Sequence, residues 1–241
     1  MRAFPGGGAP KPPQLHYDLV AEFGGAGICS GWGLTEAPNL SMVHVRDPDA
    51  KKAQTEGRPS LPDVDLRAVR SDGCIAAPGE PGELRVRGPH VCRGYLDSTL
   101  DAAGFDEHGY FRTGDLGVLD ADGRLRMVGR LKDVFRVGGE NVAPAEVEEV
   151  LLAHPAVATA QVIGVPDPRL GEVPAAYVTL KAGATATEDE LVAYCKARSA
   201  NFRVPRYMRI VADFEAIGMT ASGKVQKTKL REHALRELGL A

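Results

Sequence analysis

No CxxC pair, no HExxH run and no long apolar stretch occurs in this sequence. Cys29, Cys74, Cys92 and Cys195 are scattered, which reads as four reduced cytosolic thiols. The six histidines show no paired ligand spacing, so a structural metal site is not expected. No apolar run approaches the ~18 residues of a membrane span. The opening MRAFPGGGAPKPP lacks the apolar core of a secretory signal, so cytoplasmic placement is expected. A net charge of −3 gives no basic footprint, which argues against nucleic acid as a partner. What is present is 241 residues with 44% hydrophobic content, room for one or two globular domains with real cores.

The chain is organised around Phe111 to Pro155. LGVLD and RLRMVGR alternate apolar and polar residues across DADG, which predicts a β-hairpin turning at Gly123. LKDVFRVGGEN is charged and glycine-bearing and reads as an exposed connection where the backbone bends. PAEVEEVLLAHP predicts a helix over 144–153: Pro144 sits at the first position, Glu146, Glu148 and Glu149 lie near the positive end, and Pro155 marks the stop.

Upstream, PPQLHYDLVAEF carries Leu15, Leu19, Val20 and Phe23 at helical spacing. Residues 41–58 read as solvated loop and short helix. VDLRAVR and GELRVRG alternate as strands around a turn-rich connection, and Arg85, Arg87 and Arg93 are expected to point into solvent. Downstream, VATAQVIGVP, AAYVTLK and VPRYMRIVADF read as strands. Thr187 and Glu190 form a capping box opening a helix, and QKTKLREHALRELGL reads as a closing helix. The order β-β-α-β-β-α-β suits a compact α+β domain of about 110 residues.

Several spaced groups stand out: Gly31-Trp32-Gly33-Leu34-Thr35-Glu36, Thr113-Gly114-Asp115, Gly129-Arg130-Leu131-Lys132-Asp133, Gly138-Gly139-Glu140-Asn141 followed by Pro144 and Glu146, and Thr220-Ala221-Ser222-Gly223-Lys224. In this order they resemble the adenylate-forming superfamily, the AMP-producing acyl-CoA synthetases, luciferases and peptide-synthetase adenylation domains. The acyl-CoA synthetase branch fits GGENVAPAEVE best. The fold class implied is α/β and α+β: the C-terminal part of an acyl-CoA synthetase-like large domain with a β-rich subdomain (1–131), then a small mobile α+β C-terminal domain (132–241).

The resemblance implies roles residue by residue. Gly8, Ala9 and Pro10 form a turn along adenine, where small residues allow close backbone approach. Gly31 and Gly33 let the chain pass a nucleotide, and Trp32 offers a flat face to adenine or the acyl chain. The Thr35 hydroxyl donates to a phosphate oxygen, and the Glu36 carboxylate holds Mg²⁺, a hard cation that prefers oxygen. Asp115 accepts the ribose hydroxyls, and Arg130 adds a charge-assisted contact to ribose or phosphate. Without the resemblance, Asp115 reads equally as a turn cap and Lys132 as a solvated lysine. With it, Lys132 is the hinge, and Arg136, Gly138, Gly139 and Glu140 border the CoA tunnel.

Lys224 bridges the carboxylate of the acid and the α-phosphate of ATP during adenylation, easing the repulsion between two anions. Lys227 and Lys229 are nearby rivals, but only Lys224 follows Ser-Gly. Gly218 stands where the family commonly has proline, so a longer or looser approach to Lys224 is expected.

The activity implied is conversion of a fatty or related apolar acid to acyl-AMP and then acyl-CoA, with ATP, Mg²⁺ and CoA. The family's Ser/Thr/Gly-rich phosphate loop ending in Pro-Lys-Gly is absent from this sequence, which therefore resembles a C-terminal half. Three alternatives stay open on sequence: a non-catalytic nucleotide- or partner-binding fragment, a chain that needs a missing N-terminal half or a second copy of itself, and an acyl-AMP ligase that hands the acyl group to a carrier protein.

Overall fold

The computed structural model describes residues 2–7, 11–220 and 223–240, which divide into two units between Leu131 and Lys132. In the first unit, β1 (Phe4–Gly6) runs parallel to β2 (Ile28–Trp32), with α1 (Pro13–Phe23) as the crossover. β3 (Ser41–Met42) and β4 (Arg58–Pro59) extend this sheet antiparallel, with α2 (Asp49–Gln54) between them. A second sheet is an antiparallel meander of β5 (Asp65–Val69), β6 (Pro81–Arg87), β7 (Phe111–Leu119) and β8 (Leu125–Arg130), with the short α3 (Asp101–Gly104) ahead of β7. Leu84 and Val86 face inward from β6 and are fully buried with Trp32, Leu40, Phe111 and Leu125. Each such side chain contributes about 1.5–3 kcal/mol on burial.

The hairpin expected at Gly123 is present as β7 and β8, with Leu119 opposite Leu125. Other expectations need correction. Arg85 is not solvated: Glu83 and Asp106 hold it at 3.0 and 3.1 Å. Arg87, by contrast, is exposed as expected, its guanidinium 4.7 Å from the Tyr110 ring centroid. In α1 it is His16 that is buried, while Leu15 and Phe23 are exposed. The imidazole finds polar partners inside: Ile28 N–H donates to Nδ1 at 3.3 Å, and Asp49 lies 3.3 Å from Nε2. Within the 41–58 stretch, Lys52 is buried and donates to the Ala26 carbonyl at 2.9 Å.

Arg124 is also buried, 2.7 Å from Asp47. Its hydrogen bond holds the Asp47 carboxyl down at about 2, against burial, which pushes the other way. A depressed carboxylate stabilises the fold above its unfolded pKa of about 4 and loses that contribution as pH falls through its folded value. Asp47→Asn should therefore remove about 1–2 kcal/mol of stability at neutral pH and progressively less towards about pH 2. Urea unfolding across that range checks it; a constant difference between the two proteins would contradict the pair's role.

Two glycines separate strain from crowding. Gly57 has φ 78° and a Cβ there would collide with the Met42 carbonyl, whereas Gly114 has φ 66° and open space. Gly114→Ala should cost about 1 kcal/mol, the left-handed penalty alone. Gly57→Ala should cost about 3 kcal/mol or more, because the backbone must also move. Equal melting temperatures for the two variants would overturn this assignment.

The second unit contains one five-stranded sheet. β9 (Phe135–Val137) and β10 (Glu140–Val142) form a hairpin, followed by α4 (Pro144–Leu152), β11 (Val157–Asp167), β12 (Gly171–Leu180), α5 (Glu188–Lys196), β13 (Tyr207–Ile210) and α6 (Lys227–Glu237). The long β11–β12 ladder is central, and β13 joins β12 in parallel. β12 is buried on both faces, so it reads as a continuous apolar run rather than an alternating one. Ala176 and Val178 meet Val147, Leu151, Leu191 and Cys195 of α4 and α5. Ala175 and Tyr177 meet Leu230 and Ala234 of α6 on the other side. The capping box is formed: Glu190 N–H donates to Thr187 Oγ1 at 3.2 Å, and Thr187 N–H donates to Glu190 Oε2 at 2.8 Å.

The stretch read as an exposed connection is instead the β9–β10 hairpin. Phe135 and Val137 are buried and Arg136 is exposed between them, a strand alternation. Gly138 and Gly139 have φ 59° and 99°, which suits a two-residue hairpin turn. The pattern apolar-polar-apolar followed by Gly-Gly was the signal for it.

Candidate functional site

In the first unit, the Thr113-Gly114-Asp115 motif is a bulge in β7. Glu83 pairs with Leu116 and Arg85 with Arg112, so Leu84 alone faces three residues. The Thr113 hydroxyl donates to the Leu84 carbonyl at 2.7 Å, and Asp115 N–H donates back to Thr113 Oγ1 at 3.0 Å. Gly114 takes the left-handed conformation that the bulge requires. The result turns Asp115 inward, where its carboxylate is 5% exposed. Trp32 Nε1 donates to Asp115 Oδ2 at 2.9 Å, and Arg130, opposite Asp115 on β8, lies 3.0 Å from Oδ1. This is an oriented acceptor that receives donors from two different strands, Trp32 on β2 and Arg130 on β8.

Trp32 itself is buried in the core rather than open as a face. Gly31 and Gly33 meet the chain's own backbone: an added Cβ would lie 2.8 Å from the Ser41 carbonyl oxygen and 2.6 Å from Asn39 N. Beyond them Thr35 is exposed and Glu36 half-buried. Tyr95 donates its hydroxyl to Glu36 Oε1 at 3.2 Å, and Cys92 N–H donates to the Glu36 carbonyl at 2.7 Å. Burial, then the charge of Glu36, pushes the Tyr95 phenol up, so it stays a neutral donor. Tyr95 was missed in the sequence because a lone tyrosine carries no spacing signal. No group of three or more acidic, histidine or cysteine side chains able to cage a metal exists among the described residues. A groove of about 510 Å³ lies elsewhere, between Arg58, Pro62, Asp63, Leu119 and Asp122, and takes in neither Trp32 nor Asp115.

Gly8, Ala9, Pro10 and Ser222 lie outside the described residues. In the second unit, Lys132 sits exposed in the 3-10 turn Leu131–Asp133. Arg136 is exposed and donates to the Gly139 carbonyl at 3.2 Å, and Glu140 is exposed at the start of β10. Lys224 closes a tight loop: Met219 bridges to Val225, Thr220 N–H donates to the Lys224 carbonyl at 2.8 Å, and Lys224 N–H donates to Thr220 Oγ1 at 3.0 Å. Its side chain is exposed, and among the described residues no carboxylate pairs with it. Of the rivals, one is engaged through its ammonium and the other packs only along its stem. Lys227 is tied to Glu148 at 2.7 Å and to the Val162 carbonyl at 3.1 Å. The stem of Lys229 packs against Gly218, where an added Cβ would lie 2.6 Å from Cδ. At Gly218 itself the chain is packed rather than loose: Gly218 N–H bonds to Phe214 O, and Gln226 N–H bonds to Gly218 O.

The AMP-binding enzyme profile matches residues 1–96, and the AMP-binding enzyme C-terminal domain profile matches residues 146–224. The chain belongs to the AMP-binding enzyme family. It is 40% identical over 227 residues to a Rhodococcus jostii (strain RHA1) CoA ligase named for a methyl-dioxo-octahydroindenyl propanoyl group, covering 94% of this chain and 41% of the relative. It is 37% identical over 238 residues to the mitochondrial medium-chain acyl-CoA ligase ACSF2 of Bos taurus, covering 97% of this chain and 38% of that one. Its fold matches ATP-bound MatB from Rhodopseudomonas palustris with a TM-score of 0.88 at 32% identity, over 97% of this chain and 46% of that structure. The chain thus spans about two-fifths of the length of these curated relatives. In this AMP-binding family member no described helix is long and apolar enough to cross a membrane.

Proposed function

We propose that this chain carries the ribose-binding and lysine-bearing portion of an AMP-forming acid–CoA ligase acting on a fatty or related apolar acid. The acid's carboxylate attacks the α-phosphorus of ATP, giving acyl-AMP and pyrophosphate; the CoA thiol then displaces AMP. The observation that carries this reading is the buried Asp115 carboxylate, held at a bulge by Trp32 and Arg130. A fixed pair of acceptor oxygens suits the two hydroxyls of a ribose. Gly31 and Gly33 border the nucleotide, with Gly8, Ala9 and Pro10 along adenine. Thr35 donates to phosphate. Glu36, oriented by Tyr95, fits as the single protein ligand of a Mg²⁺ that otherwise keeps water and phosphate oxygens.

Lys224 supplies the bridging cation for adenylation; its exposed side chain, paired with no carboxylate among the described residues, and the engagement of Lys227 elsewhere support that role. The division at 131/132 supports Lys132 as the hinge between two half-reactions, with Arg136, Gly138, Gly139 and Glu140 beside the CoA path. The free thiols favour a reducing compartment, the cytoplasm in our reading, although the Bos taurus relative is mitochondrial by name. The test is acid-dependent ATP–pyrophosphate exchange, using the chain joined behind the unmatched portion of a relative and a panel of aliphatic, alicyclic and aryl acids. Exchange with apolar acids is expected; exchange with none, while the relative's own intact chain is active, would sink the reading.

A further inference from the structure

Trp32 ends β2 in one sheet of the first unit, and Asp115 lies on β7 in the other. Between them runs a single indole hydrogen bond of 2.9 Å, across 83 positions of sequence. Indole nitrogen is a donor only, so when the ring is buried it must find an acceptor. The ring is 8% exposed and packs with Ala37, Leu40, Leu84 and Phe111. It is a rigid donor, fixed by its packing. Arg130 reaches the other carboxylate oxygen from a side chain that is 54% exposed, on a rotatable stem.

We infer that Trp32 is a positioning residue for nucleotide binding: its indole N–H fixes the rotation of the Asp115 carboxylate so that it accepts a ribose diol. This rests on the nucleotide reading above and assigns the tryptophan a task other than offering its face. The two tasks separate chemically. Phenylalanine keeps a flat apolar ring but has no donor, so a platform survives Trp32→Phe and a tether does not. A tether matters only to ligands that use the carboxylate, whereas a platform matters to every adenine nucleotide.

Trp32 is the only tryptophan in the chain, so its emission reports on this contact directly. The 241-residue chain is titrated with AMP and with 2′,3′-dideoxy-AMP, by tryptophan fluorescence and by calorimetry. AMP should change the emission saturably and bind at least ~10-fold tighter than the dideoxy nucleotide, as loss of a charge-assisted contact implies. Trp32→Phe should weaken AMP by roughly 10-fold and leave dideoxy-AMP unchanged. Asp115→Asn, which leaves the ring in place, should shift the unliganded emission and erase the preference for the diol. If Trp32→Phe weakens both nucleotides equally, or neither, the tether is refuted and the nucleotide reading stands. If the parent chain binds no AMP, the nucleotide reading falls and the tether with it. If Trp32→Phe does not fold, emission decides: identical spectra for parent and Asp115→Asn refute the tether.

Discussion

The 241-residue chain on its own should exchange pyrophosphate into ATP at least ~10³-fold more slowly than the same chain joined behind the unmatched portion of a relative, with any acid tested. Two observations lie behind this. No Ser/Thr/Gly-rich run ending in Pro-Lys-Gly, the phosphate loop that the resemblance leads one to expect, occurs in the sequence. The first unit also leaves apolar surface uncovered: Leu15 and Phe23 are exposed on α1, and β1 forms an edge of its sheet. Exposed apolar faces of this kind mark surfaces that another polypeptide covers. Joining should raise the thermal stability of the first unit as well as restore turnover. Robust exchange by the short chain alone would refute the requirement. A joined chain that gains stability but no activity would locate the fault in the chemistry assigned to the residues present.

Lys224→Ala in the joined protein should lower acid-dependent exchange by roughly 10²–10³-fold, about 2.7–4 kcal/mol, the usual cost of removing one preorganised donor to developing charge. The alanine changes little else, because Lys224 is exposed and its loop is closed by backbone and Thr220 contacts. Lys227→Ala should behave differently. It removes the partner of the largely buried Glu148 carboxylate and so costs stability first. Lys224→Arg should rescue only part of the rate, since a planar guanidinium keeps the charge but not the compact geometry. A variant pair in which Lys227→Ala lost exchange without losing stability, while Lys224→Ala retained it, would reassign the cation.

Much of this was legible in the sequence, for reasons that differ by element. Helix α4 announced itself through Pro144 and its early glutamates, α5 through the Thr187–Glu190 capping box, and β7–β8 through alternation around Gly123. These are local signals, and the structure keeps them. The β9–β10 hairpin is hard to see in the sequence because the charges of that stretch mask the Phe-Arg-Val alternation. The burial of His16, Lys52 and Arg124 could not be read, since each depends on a partner distant in sequence: Ile28 for His16, Ala26 for Lys52 and Asp47 for Arg124. The site shows the same limit. Motif spacing marked Asp115, Glu36 and Lys224, whereas Tyr95 and the indole bond of Trp32 exist only once the two sheets of the first unit are in place. Gly218 shows a third case: its departure from the expected proline suggests slackness, whereas at Gly218 itself the chain packs against Lys229.

The most direct measurement compares the two half-reactions of the joined Lys224→Ala variant, using synthetic acyl-AMP and CoA for the second. Thioester formation from supplied acyl-AMP should stay within about 3-fold of the parent while exchange falls by roughly 10²–10³-fold. An equal loss in both would contradict a lysine that serves adenylation alone, and with it the proposal that Lys132 is a hinge between two half-reactions.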